Sequence, residues 1–327
     1  MERLSTRCRI QVLLCQAMND PRKGVRGSML KRDQIQIRDP YVLRDDSHNC
    51  YYLYGSTDTN IWQTQATGFD AYRSADLENW EGPFPAFRPE PDFWSDRNYW
   101  APEVHVYKGD YYMLATFKAE GVCRGTQILR SHHPLGPYLV HSDGPVTPKD
   151  WECLDGTLHV DDDGKPWMIF CHEWVQVLDG TVCAVPLSEQ LDGAVGDPIV
   201  LFKATDAAWV DAVTGGTGGT GINPKTGYVT DGPFLHRCAD GTLLMLWSSF
   251  KGGQYAQAIA ISTSGHILGP WIQAPAPLYE SDGGHGMIFT TFDSQIMLAL
   301  HTPNQTPDER PIFLKLSEIG GRLVLQV

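Results

Sequence analysis

The sequence predicts an all-β fold, a five-bladed β-propeller, and three observations carry that prediction. Short runs of β-branched and aromatic residues alternate with turn residues, the written form of hairpins. Five such hairpins follow one another, with leading residues Asp39, Trp100, Asp155, Asp231 and His285. Those positions are separated by roughly fifty to seventy-five residues, which suits one supersecondary unit repeated around a ring. Behind several hairpins comes the same echo of a strand, a short turn and an outer strand opened by Gly-Pro. Closing such units into a ring protects their edges.

The elements follow in order. Blade one runs from about Ile35 to Phe87: Asp39-Pro40-Tyr41-Val42-Leu43 leads into Tyr51-Tyr52-Leu53-Tyr54, with Glu81-Gly82-Pro83 on its rim. Blade two pairs Tyr99-Trp100-Ala101-Pro102-Glu103-Val104 with Tyr111-Tyr112-Met113-Leu114 across Lys108-Gly109-Asp110. Blade three turns from Leu154-Asp155-Gly156-Thr157 through Asp163-Gly164 into Trp167-Met168-Ile169-Phe170. Blade four carries Asp231-Gly232-Pro233-Phe234 and Leu243-Leu244-Met245-Leu246-Trp247; blade five carries Gly284-His285-Gly286 and Ile296-Met297-Leu298. Gly136-Pro137 and Gly269-Pro270 mark further rims, where proline is tolerated because an outer strand need not donate every ladder bond. The tail, with Pro311-Ile312-Phe313-Leu314 and Leu323-Val324-Leu325, supplies strands to the last blade and a means of closing against the first.

Residues 29–327 therefore read as one propeller domain, and residues 1–28 as a basic, poorly ordered N-terminal extension, with Met29 as an alternative start. That extension lacks the long apolar core and small-residue cleavage site of a signal peptide. No stretch is long and apolar enough to span a bilayer. The eight cysteines are scattered without a Cys-x-x-Cys pair, so they read as free thiols of a reducing compartment. The expected location is cytoplasmic.

A net charge of -13 argues against nucleic acid and anionic membranes as partners, since those need clustered Lys and Arg. A neutral ligand fits better, and ten Trp with thirteen Tyr suit a saccharide, whose apolar faces stack on aromatic rings, although most will fill the space between blades. The charge and sequence leave the oligomeric state open.

Asp39, Asp155 and Asp231 are remote in sequence but head successive inner strands, so a ring brings them together near its axis. One aspartate before Gly or Pro commonly just caps a turn. Three at repeated places suggest glycoside hydrolysis, in which one carboxyl group protonates the leaving oxygen and another activates water or attacks. A third can raise the acid's pKa by like-charge repulsion.

Taken in order, Arg38-Asp39-Pro40, Trp100-Ala101-Pro102-Glu103-Val104, Leu154-Asp155-Gly156, Asp231-Gly232-Pro233-Phe234 and Gly284-His285-Gly286 resemble the signature positions of glycoside hydrolase family 43. The likeness runs from about Ile35 to Leu316. It implies an inverting hydrolase that releases a terminal pentose, α-L-arabinofuranose or β-D-xylose, from oligo- or polysaccharides. In that scheme Asp39 is the general base, Asp155 tunes and orients the acid, and Asp231 is the acid. An endo-acting arabinanase and a non-catalytic carbohydrate-binding propeller are the alternatives.

Asp231 departs from the pattern, because the family usually has Glu-Gly-Pro there. Aspartate is one methylene shorter, which draws the carboxyl back by about 1.5 Å unless the backbone moves in, and proton transfer is sensitive to that distance. Three outcomes follow: a shifted acid that works, another acid such as Glu173, or a ring that binds sugar without cleaving it.

Four further residues are candidates for substrate binding. Trp100 would wall the pocket, and Glu103 would hold a nearby strand or a sugar hydroxyl. Glu173 interrupts the apolar run 167–175, where a buried carboxylate needs a partner or a task. His285, flanked by glycines, would face the central channel. The resemblance requires no cofactor and admits one metal, a structural calcium near His285. Asp45, Asp46, Asp162 and Asp163 read as hairpin turns. The glycine run 215–221 lacks Gly-Lys-Ser/Thr, so it reads as a surface loop near the mouth of the site, not a phosphate loop.

Overall fold

A computed structural model describes residues 27–62, 65–215 and 226–326. Among them five antiparallel sheets form. The first comprises β1 (Ser28–Lys31), β2 (Arg38–Asp45), β3 (Cys50–Ser56), β4 (Phe69–Ser74) and β5 (Asn79–Phe87). The second holds β6 (Arg97–Tyr107), β7 (Asp110–Ala119), β8 (Val122–Ser131) and β9 (Leu139–Val140); the third β10 (Cys153–Val160), β11 (Pro166–His172), β12 (Thr181–Pro186) and β13 (Ile199–Lys203). The fourth has β14 (Asp231–Arg237), β15 (Leu243–Lys251), β16 (Gln254–Ser262) and β17 (Trp271–Gln273). The fifth has β18 (Gly284–Thr290), β19 (Ile296–Thr302), β20 (Arg310–Glu318) and β21 (Leu323–Leu325). The strands β2, β6, β10, β14 and β18 touch in that order, and β18 returns to β2. The fold is a five-bladed β-propeller.

Each sheet is built from strands close in sequence, so no blade mixes the two ends of the chain. Closure combines apolar packing of blade five on blade one, Phe289 against Tyr51 and Phe313 against Trp80, with individual bonds. Arg38 Nη1 lies 3.3 Å from Glu309 Oε1, the Ile37 N–H donates to the Glu309 carbonyl, and Arg310 Nε donates to the Asp33 carbonyl at 2.9 Å. Of the expected extension, only Gly27 and Ser28 fall within the described residues. Ser28 already opens β1, paired with Gly82.

Between blades, apolar faces interlock as the aromatic content anticipates. Trp80 and Trp247 are fully buried, the second against Phe202 and Trp209. Burying such rings contributes about 2 kcal/mol or more apiece, and their indoles bond the Leu77 carbonyl and Gln273 Oε1.

Every innermost strand has the same irregularity. The register skips one extra residue between Arg38 and Tyr41, Trp100 and Glu103, Leu154 and Thr157, Asp231 and Phe234, and Gly284 and Met287. These are β-bulges, which bend a strand and re-aim its side chains. The second residue of each skip has positive φ: Asp39 (54°), Ala101 (45°), Asp155 (58°), Gly232 (53°) and His285 (51°). This corrects the repeat frame read from the sequence. Ala101 and Gly232, not Trp100 and Asp231, are equivalent to Asp39, Asp155 and His285. Asp231 stands one place earlier, so it reaches the axis by a different route from the other two aspartates.

Candidate active site

Left-handed backbone is disfavoured for residues with a Cβ, though Asp tolerates it better than most. Here the bulges are fixed by bonds to the N–H groups they free. Ser56 Oγ accepts from the Ala101 N–H at 2.8 Å, Thr116 Oγ1 from Asp155 at 2.9 Å, Ser248 Oγ from His285 at 2.8 Å, and His301 Nδ1 from Asp39 at 3.1 Å. Gly232 is a glycine for a second reason. A Cβ there would stand 2.7 Å from the His285 ring.

Asp39 is buried and held ionised. Burial alone would raise its pKa, but the neighbouring His285 imidazolium, with Nδ1 3.1 Å from Oδ1, holds the carboxyl far below the ordinary range. Ser56 Oγ donates to its Oδ2 at 2.7 Å. His285 in turn is pushed up to about 10 against its burial by Asp39 and Asp155, the latter at 3.7 Å. His301 is the opposite case. Burial and Arg38 hold it down to about 3, so it is neutral. Because its Nδ1 accepts the Asp39 N–H, its own proton sits on Nε2, which donates to Asn304 Oδ1 at 3.3 Å.

Asp155 and Asp231 behave differently from Asp39. Burial, Asp231 and Asp39 raise Asp155, while His285 and the Gly232 N–H, which donates to Oδ2 at 3.0 Å, oppose the rise. Asp231 is raised by burial and by the charges of Glu173 and Asp39, against His285 and the Tyr255 hydroxyl, which donates to its Oδ2 at 3.1 Å. The two carboxyls line one cavity and titrate as a pair, both raised above the ordinary carboxylate range. The site thus holds one carboxyl group depressed by its histidine neighbour and two that are raised.

These residues line a cavity of about 410 Å³ with Arg38, Trp62, Trp100, Glu173, Trp174, Phe250, Tyr255, His285 and Asn304 among its walls. Trp100 is buried, its indole donates to the Ile61 carbonyl at 2.9 Å, and the Arg124 guanidinium lies 4.3 Å from its ring centroid. Arg124, wholly buried, also ion-pairs with Glu173. Burial and the charges of Glu152 and Asp155 push Glu173 up to about 7 in spite of that cation. Its bond to Arg124 nevertheless commits it to the wall of the site.

Glu103 is not part of the cavity lining. Its Oε2 accepts from Thr157 Oγ1 at 2.5 Å and lies 3.0 Å from His105 Nε2, so it ties blade two to blade three. Its strand-holding role therefore fits, and its sugar-hydroxyl role does not. Sequence reasoning missed Tyr255, His301 and Arg124, whose importance comes only from register, and Trp62, which lies between the recognised repeats.

Around His285 the structure places carboxyl oxygens of Asp39 and Asp155, 3.1 and 3.7 Å from Nδ1. Gly215 reaches the cavity lining, whereas 216–221 of the glycine run lie outside the described residues. Asp45 accepts the Ser47 N–H in its turn, while Asp46, Asp162 and Asp163 pair with Arg44, Arg237 and Lys165. Cys50, Cys123, Cys153, Cys171, Cys183 and Cys238 are free.

An axial cavity lined by three aspartates, one of them 3.1 Å from a histidine, has the groups that acid–base glycoside hydrolysis uses. Comparison with known proteins makes the assignment particular: residues 34–317 match the family description "Glycosyl hydrolases family 43", and the chain belongs to that family. An endo-arabinase structure from Bacteroides thetaiotaomicron is similar at 39% identity and a TM-score of 0.82, covering 90% of this chain and 98% of that one. An extracellular exo-α-(1→5)-L-arabinofuranosidase of Cellvibrio japonicus is 27% identical over 43% of this chain and 42% of its own length. An extracellular endo-α-(1→5)-L-arabinanase of Bacillus subtilis is 24% identical over 42% and 44%. The match thus spans less than half of each curated relative. Both are named as extracellular, so the cytoplasmic expectation gains no support from them. No helix among the described residues is long and apolar enough to cross a membrane.

Proposed function

We propose that this chain hydrolyses α-1,5-linked L-arabinan by general acid–base catalysis with inversion. The observation that carries the reading is the meeting of Asp39, Asp155 and Asp231 in one cavity, with His285 Nδ1 3.1 Å from Asp39. Asp39, held ionised by His285, accepts a proton from the attacking water. Asp231 donates its proton to the departing glycosidic oxygen, and Asp155, which accepts the Gly232 N–H, orients the backbone beside the acid. Tyr255 fixes one oxygen of Asp231 and leaves the other for the substrate. Glu173 is bound to Arg124, which favours Asp231 over it as the acid. Inversion follows from the family scheme.

An endo mode is favoured over release of a terminal pentose by Trp62. It is 42% exposed on the cavity rim, braced by Thr306 at 3.0 Å and edge-on to Trp100 at 5.1 Å. An exposed ring beyond the reacting centre suits stacking of a further sugar unit. The relative with 39% identity, an endo-arabinase, supports the same reading.

Early products from debranched arabinan, separated by anion-exchange chromatography, test it. A ladder of oligosaccharides with an early fall in viscosity is expected. Arabinose alone from the first minutes would restore the exo reading, and binding without products would leave a carbohydrate-binding propeller.

A further inference from the structure

The five bulges allow each blade joint to be compared with the other four. Ser56, Thr116, Ser248 and His301 are the ladder partners of Arg38, Trp100, Asp231 and Gly284, the first residue of each skip. Each of the four captures the freed N–H of the next blade around the ring: Ala101, Asp155, His285 and Asp39 respectively. Four joints therefore follow one rule, with an oxygen or nitrogen acceptor on the second strand.

The fifth joint breaks it. The ladder partner of Leu154 is Cys171, a fully buried free cysteine. The N–H that the rule would bring to it belongs to Gly232, and that N–H donates instead to Asp155 Oδ2 at 3.0 Å. Thiol sulfur is a weak acceptor compared with a hydroxyl or an imidazole nitrogen.

We propose that Cys171 is a positioning residue, whose poor acceptor leaves the Gly232 N–H to Asp155 and so aims the Asp155 carboxylate at the acid's backbone. The inference rests on the acid–base reading of Asp155 and Asp231. Its physical content is a competition: a hydroxyl at this register would draw the Gly232 N–H away, as Ser56, Thr116 and Ser248 do at their joints. Asp155 would then lose a donor that favours its charged form. The proton of the pair would rest on Asp155 and leave Asp231 ionised for more of the time.

The test compares Cys171→Ser with Cys171→Ala in protein labelled with 15N-glycine, reading the Gly232 amide shift and the pH dependence of kcat on arabinan. In Cys171→Ser the amide should move upfield. The plateau of kcat should fall about tenfold, the scale of a hydrogen bond to a charged group, with KM little changed. The alkaline limb should shift to higher pH, because the last proton of the pair is now held by Asp155. Cys171→Ala, which offers no acceptor, should keep the wild-type amide shift and alkaline limb. Should serine fail to fold, Cys171→Thr supplies the same hydroxyl, and Thr116 already occupies the equivalent register. A wild-type amide shift and limb in the hydroxyl variant would overturn the proposal, as would an alanine variant that behaves like serine. The amide shift is read without turnover, so it remains decisive even if arabinan proves not to be the substrate.

Discussion

The backbone N–H of Gly232 donates to Asp155 Oδ2 across 3.0 Å, so the residue that follows Asp231 is bonded to the Asp155 carboxyl group. The two aspartates lie in different blades, 76 positions apart in the chain, and this bond joins the backbone beside one to the carboxyl of the other. Protonation and geometry in this site are therefore coupled.

The pH profile should be one-sided. Asp231 must hold its proton and is raised above the ordinary range, so kcat falls as pH rises through that raised value, near neutrality and not near the usual value of about 4. Asp39 must be ionised and is depressed far below that range, so it contributes no acid limb while the protein stays folded. Initial rates on arabinan from acid to alkaline pH check this. A symmetrical bell with an acid limb near pH 4 would mean that His285 does not hold Asp39 ionised.

Gly232→Ala should damage fold and function together. It places a Cβ at φ 53° and 2.7 Å from the His285 ring. The strained backbone alone costs about 1–3 kcal/mol, and movement of His285 or Asp155 should lower kcat about 100-fold or more. Denaturant midpoints and kcat for the variant measure the two effects.

Much of this was legible in the sequence and some was not, for identifiable reasons. Hairpin chemistry and spacing gave the five blades. The frame slipped by one at Trp100 and Asp231 because it was anchored on conspicuous side chains, whereas the repeat is defined by bulge backbone. A better anchor was present: proline follows the bulge residue in Asp39-Pro40, Ala101-Pro102 and Gly232-Pro233. His301, Tyr255 and Arg124 carry no local signal, since their partners are set by packing between blades. Glu103 looked like a site residue because it follows Trp100, but the bulge turns it toward blade three.

Arg124→Met should be costly and pH-dependent. It leaves Glu173 buried without its cation, which typically costs about 3–5 kcal/mol. A carboxyl raised in the folded state stabilises least at high pH. The loss should therefore be small below about pH 4, where Glu173 is protonated in both states, and grow as pH rises through its folded value. Adding Glu173→Gln should recover much of it. Urea unfolding at several pH values provides the measurement, and a pH-independent loss would assign the effect to the stacking on Trp100 instead.

The most direct test of the central claim is the rate of Asp231→Ala on aryl α-1,5-arabinobiosides with leaving groups of graded pKa, beside Asp39→Asn. If Asp231 is the acid, its removal should cost about 10²–10⁴-fold with poor leaving groups. It should cost little with dinitrophenolate, and the alkaline limb should vanish. Asp39→Asn should be inactive on every substrate. Equal losses of Asp231→Ala across the series, or turnover by Asp39→Asn, would contradict the assignment of acid and base.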